Sequence, residues 1–221
     1  MAIIIKYLST VYGIVETMAL IASILLLRKD GSNKWRAFIG YLFIMVGIEV
    51  LGTYSMLNKL ALLNHSLYNF LLLVQIIFFI PLIFSFLELK RKKHVKVVLF
   101  ILLFISFFTE LYLKHFEAYN NYTKFFLCFI ITIMCCLFFY RLMLQQPINL
   151  LNYPAFWAVV GLFFYAFVSA ILFAFNNMIV KAKLTDHEYV YRAVMYTLSV
   201  ILYFSWIYSF ICRKKQIKSQ S

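Results

Sequence analysis

Seven apolar runs of about 19–25 residues, each closed by polar or basic residues, limit what this chain can fold into: 7–27, 36–57, 66–89, 95–113, 122–144, 154–178 and 189–212. At 1.5 Å per residue, a helix of that length crosses a hydrocarbon core of about 30 Å. A soluble core cannot absorb this much apolar surface. The chain is 65% hydrophobic and 13% charged, against about 45–50% and about 25% in an ordinary soluble domain. The reading is all-α: a polytopic membrane bundle of seven transmembrane helices, forming a single domain over residues 1–221. The first run reads as a retained helix and not a signal peptide, because only Lys6 precedes it and Arg28 and Lys29 follow it in place of a small-residue cleavage site. Only the fourth run is marginal in length.

The basic residues orient the bundle. Of 21 Lys and Arg, 14 fall at one end, in 28–36, 90–96, Arg141 and 213–218, while seven fall at the other, among them Lys59, Lys114, Lys124 and Arg192. The positive-inside rule then puts the N-terminus outside and the C-terminus in the cytoplasm of a bacterial inner membrane. The net charge of +13 is accounted for by these segment ends. No separate basic domain exists, so no nucleic-acid partner is expected. The bilayer itself is the first partner. The patches Lys90–Lys96 and Arg213–Lys218 are read as contacts for anionic lipid or as a docking surface for a cytoplasmic signalling partner. Trp35, Tyr153, Trp157 and 206–208 fall near the inner boundary, where belt aromatics are expected.

Polar residues inside the apolar runs are the candidate site. Glu16, Glu49 and Gln75 each lie eight or nine residues from the outer end of their run, roughly 13 Å deep. Thr132, Ser169 and Ser199 fall at similar depth on later runs. Helical spacing places Tyr12 beside Glu16, Tyr68 two turns from Gln75, and Arg192, Tyr196, Ser199, Tyr203 and Trp206 on one face. A carboxylate facing lipid costs roughly 2.5–3.5 kcal/mol or more, so it turns inward, pairs or protonates. Three readings remain open: interhelical hydrogen bonding, an outward-facing ligand pocket with Glu16, Glu49 and Gln75 as floor and Tyr12, Tyr68, Tyr196 and Arg192 as walls, and a proton or cation path in which Glu16 and Glu49 share a proton. Asn58, His65 and Asn69 are placed at the water boundary.

No cofactor or metal is expected. His65, His115 and His187 each fall alone in an outer loop, without the i, i+4 spacing of a helical zinc motif. The last run contains no histidine cluster, as a seven-helix metal hydrolase requires, and no deep lysine for a retinal Schiff base. Phosphate-loop, GxSxG and CxxC patterns are absent, so the chain is read as a non-enzyme.

The segment NLLNYPAFWAVVGLFFYAFVSAILF (149–173), with LYNFLLLVQ (67–75) and YFSWIYSFICRKK (203–215), resembles small seven-helix membrane proteins of Bacteroidota-type bacteria, which are similar to the membrane sensor modules of two-component systems. The resemblance implies a receptor-like sensing role with output through a partner. A small carrier or proton-coupled transporter is the alternative, and a membrane-embedded enzyme acting on lipid the third.

Overall fold

The computed structural model describes residues 10–88, 93–115, 117–144, 149–181 and 187–220, with side chains omitted at 176–181, 187–192 and 220. All regular structure among them is helical: α1 Val11–Leu27, α2 Asn33–Leu57, α3 Ala61–Phe86, α4 Lys93–Leu113, α5 Asn121–Leu144, α6 Pro154–Lys181 and α7 His187–Gln220, with a 3-10 turn at Leu150–Asn152. Six of these, α2 to α7, are long and apolar enough to cross a membrane. The chain is therefore a multi-pass helical membrane bundle. The shorter apolar helix is α1, described over 17 residues, and not α4, which has 21.

Two boundaries differ from the sequence reading. The α2–α3 turn needs only three residues, because Lys59 takes the left-handed conformation at φ 54°. The Leu60 N–H then reaches Ser55 O at 2.8 Å and the Lys59 N–H reaches Met56 O at 3.2 Å. This is a Schellman closure with lysine where glycine usually stands. It starts α3 at Ala61, so Asn64 and His65 are helical and not loop residues. At the other terminus, α7 runs on through the basic patch to Gln220. Glycine and proline are absent from that stretch, and Lys and Arg are favoured near a helix C-terminus. Lys90–Lys92 lie outside the described residues, and Lys93 and Lys96 begin α4.

The helices close into a ring. α1, α2 and α3 pack in chain order, α3 then meets α5, α5 meets α6, α6 meets α7, and α7 returns to α1. α4 stands outside this ring, against α3 and α5. Its buried residues, Leu103, Phe107 and Glu110, form one stripe at i, i+4, i+7. Leu99, Phe100, Phe104 and Leu111 flank the stripe half-buried, and the outer face, including Ile105 and Phe108, is exposed apolar surface suited to lipid.

The tightest seam is α6–α7. A Cβ on Gly161 would stand 2.7 Å from Ser205 Cβ and 3.2 Å from Leu202 O. Ala158, one turn before Gly161, is also buried, the small-residue packing that lets membrane helices approach closely. Ser209 donates to Pro154 O at 2.7 Å and Trp206 Nε1 to Ala158 O at 3.3 Å across it. Trp206 is fully buried and Trp35 nearly so, so both rings pack against other helices. Trp206 meets Phe38 edge-on at 5.1 Å, and Tyr41 stacks on Phe78 at 4.2 Å. The indole N–H has found a carbonyl, so the ring can afford the interior.

At the basic end an ion pair ties the α1–α2 turn to α7. Arg213 donates from Nε to Asp30 Oδ2 at 2.7 Å and from Nη2 to Oδ1 at 3.1 Å. The Ser32 N–H also reaches Asp30 Oδ1, at 2.8 Å, and the guanidinium lies over Trp35. Burial alone would raise the Asp30 carboxyl, but the hydrogen bonds from Arg213 and Ser32 outweigh it and hold the group below the usual carboxylate range.

Two outcomes follow from this packing. Gly161→Ala lowers stability by about 1–2 kcal/mol in a detergent unfolding titration, because the added methyl meets atoms fixed to the backbone of α7; Ser205→Gly in the same chain recovers part of the loss. For Asp30, the depressed folded pKa means that its contribution is present above the unfolded value and lost as pH falls through the folded one. Thermal midpoints of the wild type therefore drop below about pH 4, while Asp30→Asn, already less stable at pH 7, shows a smaller decline over the same window.

Candidate functional site: a polar layer inside the ring

Glu49 on α2 is half-buried and holds two phenols. Tyr12 of α1 donates to Oε1 at 3.2 Å, and Tyr68 of α3 donates to Oε2 at 2.9 Å. Gly52, one turn along α2, makes room for this: a Cβ there would stand 3.1 Å from the Tyr68 hydroxyl. Glu16, fully buried on α1, accepts from the Tyr203 hydroxyl of α7 at 3.2 Å. The Tyr12 ring lies 6.1 Å from that of Tyr203 and 5.9 Å from that of Tyr196. The two carboxylates are thus linked through tyrosines, Glu49 accepting from two phenols and Glu16 from that of Tyr203.

Gln75 makes a different connection. It is buried on α3, and its Oε1 accepts from Lys124 Nζ of α5 at 2.5 Å. The ammonium also lies 5.4 Å from the ring centre of Tyr165 on α6. Glu16, Tyr165 and Lys124 all fall within electrostatic range of Tyr41, which borders Gln75. Together Tyr12, Glu16, Glu49, Tyr68, Gln75, Lys124, Tyr165 and Tyr203 draw on all six helices of the ring and none on α4.

Lys124 was counted among the loop cations, yet it is only 4% exposed. A signal was present: Lys124, Cys128, Ile131 and Cys135 are all buried and follow an i, i+4, i+7, i+11 stripe, so the lysine heads the inward face of α5. Cys136, the next residue along, turns outward and is exposed.

Other expected members stand at the edge of the layer. Ser169 is buried but its hydroxyl faces Met195 Sδ at 3.8 Å, and Ser199 donates to the Met195 carbonyl of its own helix at 2.9 Å. Thr132 likewise bonds its own helix at Cys128 O. Depth alone does not recruit a hydroxyl, because a Ser or Thr in a helix can satisfy itself on the preceding turn. Tyr196 is half exposed and touches the layer through the Tyr12 ring. The Arg192 side chain lies outside the described residues.

A second cluster fixes where α5 begins. Glu110 on α4 accepts from the Thr123 N–H at 2.8 Å, the Thr123 hydroxyl at 2.9 Å, the Tyr122 N–H at 3.0 Å and Lys114 Nζ at 2.6 Å. A carboxylate from a neighbouring helix thus caps the N–H groups that α5 cannot satisfy itself, at the positive end of its dipole. Asn69 pins the preceding loop by donating to Ala118 O at 3.1 Å and accepting from the Asn120 N–H at 3.0 Å. Asn69 is therefore a buried clasp and not a water-boundary residue.

A small cavity of about 80 Å³ lies at the opposite, basic end, lined by Phe86, Glu88, Phe138, Arg141 and Tyr153. Among the described residues, no group of three His, Cys, Asp or Glu converges on a metal-sized site. The chain matches no protein-family model, no curated protein and no solved structure.

The Tyr68–Glu49 bond gives a measurable outcome. In a double-mutant cycle of Tyr68→Phe and Glu49→Gln, the coupling energy in detergent unfolding is about 1–2 kcal/mol, in the range for a hydrogen bond to a charged group.

Proposed function

We propose that this chain is the membrane part of a sensing system, which takes a small polar ligand into the layer inside its ring and passes helix movement to a cytoplasmic partner. What supports the reading is that one hydrogen-bonded and aromatic-linked layer joins all six ring helices. A ligand or proton that displaces one bond in it biases the packing of the whole ring, as a two-state element requires. The resemblance of 149–173, 67–75 and 203–215 to membrane sensor modules points the same way. The N-terminus lies outside and the C-terminus in the cytoplasm of a bacterial inner membrane. The α7 extension beyond Cys212, with Arg213, Lys214, Lys215 and Lys218, is the surface that meets the partner.

The second reading is a small proton-coupled carrier, favoured by two carboxylates, Glu16 and Glu49, held in the interior by tyrosine hydroxyls.

Cross-linking from Lys214 or Lys215 in native membranes separates the two. A sensor yields a kinase or response regulator whose phosphorylation state changes in Glu49→Gln. If no such protein is trapped, and Glu49→Gln abolishes uptake of a solute into proteoliposomes, the chain is a carrier.

A further inference from the structure

We propose that the Lys124 ammonium is the docking point for a small carboxylate anion that carries its own hydrogen-bond donor, an α-hydroxy or α-amino acid. This names a ligand class for the polar layer and rests on that layer being a binding site.

A cation buried among membrane helices ordinarily pairs with a carboxylate. One cation at each end of the bundle does so: Lys114 Nζ meets Glu110 at 2.6 Å, and Arg213 Nε meets Asp30 at 2.7 Å. Lys124, more deeply buried than either, has no carboxylate partner among the described residues. Its protons go to the neutral Gln75 Oε1 and toward the Tyr165 hydroxyl, and its charge lies near the Tyr165 ring. Nearby, the Tyr41 hydroxyl meets Gln75 and donates to the Met45 thioether, at 3.9 Å, a weak acceptor. Among the described residues the ammonium is thus held by neutral groups. A carboxylate, with two oxygens and about four lone-pair sites, supplies the missing charge partner. Gln75 Oε1 keeps the acceptor's place in its absence and yields to the charged group, which makes the stronger hydrogen bond.

Asn120 adds a second, independent requirement. It is fully buried one helical turn before Lys124, whose N–H bonds its carbonyl at 3.1 Å. Its side-chain Nδ2 donates to Phe107 O, but Oδ1 is the buried side-chain atom left without a partner among the described residues. Such an orphan is costly. Residues four apart on a helix stand about 6 Å apart at Cβ, so a ligand of a few heavy atoms can give its carboxylate to Lys124 and its hydroxyl or amine to Asn120. A bare carboxylate meets only the first need.

The test is thermal unfolding of the purified full-length chain in lipid nanodiscs, with millimolar sodium glycolate, glycine or sodium acetate against sodium chloride at equal ionic strength. Glycolate or glycine is expected to raise the midpoint by several degrees, acetate by less, and whichever of the first two is larger identifies the donor as hydroxyl or amine. Lys124→Met removes this response while its own midpoint equals or exceeds that of the wild type, because methionine replaces an uncompensated charge. Gln75→Glu supplies the carboxylate in place, raises the ligand-free midpoint and also removes the response; it serves where Lys124→Met fails to fold. No Lys124-dependent shift with any of the three compounds, or a Gln75→Glu chain less stable than the wild type, overturns the proposal. An acetate shift as large as the others overturns the donor requirement. Loss of the anion response with partner phosphorylation still dependent on Glu49 would fail this ligand class alone, whereas anion binding without any trapped partner would fail the sensing reading alone.

Discussion

The hydrogen bonds that Tyr12 and Tyr68 give to Glu49, and Tyr203 to Glu16, hold two carboxylates where lipid surrounds the helices that carry them. Water cannot stabilise a carboxylate at that depth, so donors have to come from other helices. That demand fixes neighbours. α1 has to lie beside α2 and α7, and α2 beside α3, or the phenols cannot reach. Gly52 shows how closely geometry follows the demand, since a methyl there would press on the Tyr68 hydroxyl.

The same logic explains why α4 is excluded from the ring. Its one strongly polar inward group, Glu110, is spent on the start of α5, where it takes two backbone N–H groups, the Thr123 hydroxyl and Lys114. With that carboxylate satisfied at the end of the helix, the remaining length of α4 has only Leu103 and Phe107 to bury and needs no more than the groove between α3 and α5. α5 gains a fixed starting point, and this sets the register at which Lys124 meets Gln75. The lipid-facing helix thus positions the layer without contributing to it.

Much of this was legible in the chain. Run length and hydropathy give the helices, Pro154 marks the start of α6, equal depth groups Glu16 with Glu49, and helical spacing adds Tyr12 and Tyr68. Gln75 was found by the same depth argument, but its partner was not. Lys124 pairs with Gln75 because α3 skips α4 to touch α5, and neighbour order in a ring is a tertiary property that hydropathy does not encode. The Asp30–Arg213 pair joins residues 183 apart in sequence, each of which reads alone as an ordinary loop charge. Ser169 and Ser199 sit at the expected depth but use a thioether and their own helix backbone. Depth fixes which slice of the bilayer a residue occupies; the rotation of its helix and the competition from local acceptors decide what it touches.

Charge pairing in the bundle divides along the same lines. At each end the cation and the carboxylate are close, and further hydrogen bonds hold the carboxylate: Asp30 also takes the Ser32 N–H, and Glu110 takes three donors around the start of α5. Those arrangements stabilise the fold and leave no capacity for a ligand. Inside the ring, Glu49 takes two phenols and the Lys124 ammonium takes an amide. An ion pair between these two would be the simpler solution for stability alone, since both signs are present. Proteins depart from local consistency mainly where function requires it. Two charges held by neutral partners, Glu49 on phenols and Lys124 on an amide, can be rearranged at less expense than an ion pair, and the layer that contains them draws on every helix of the ring.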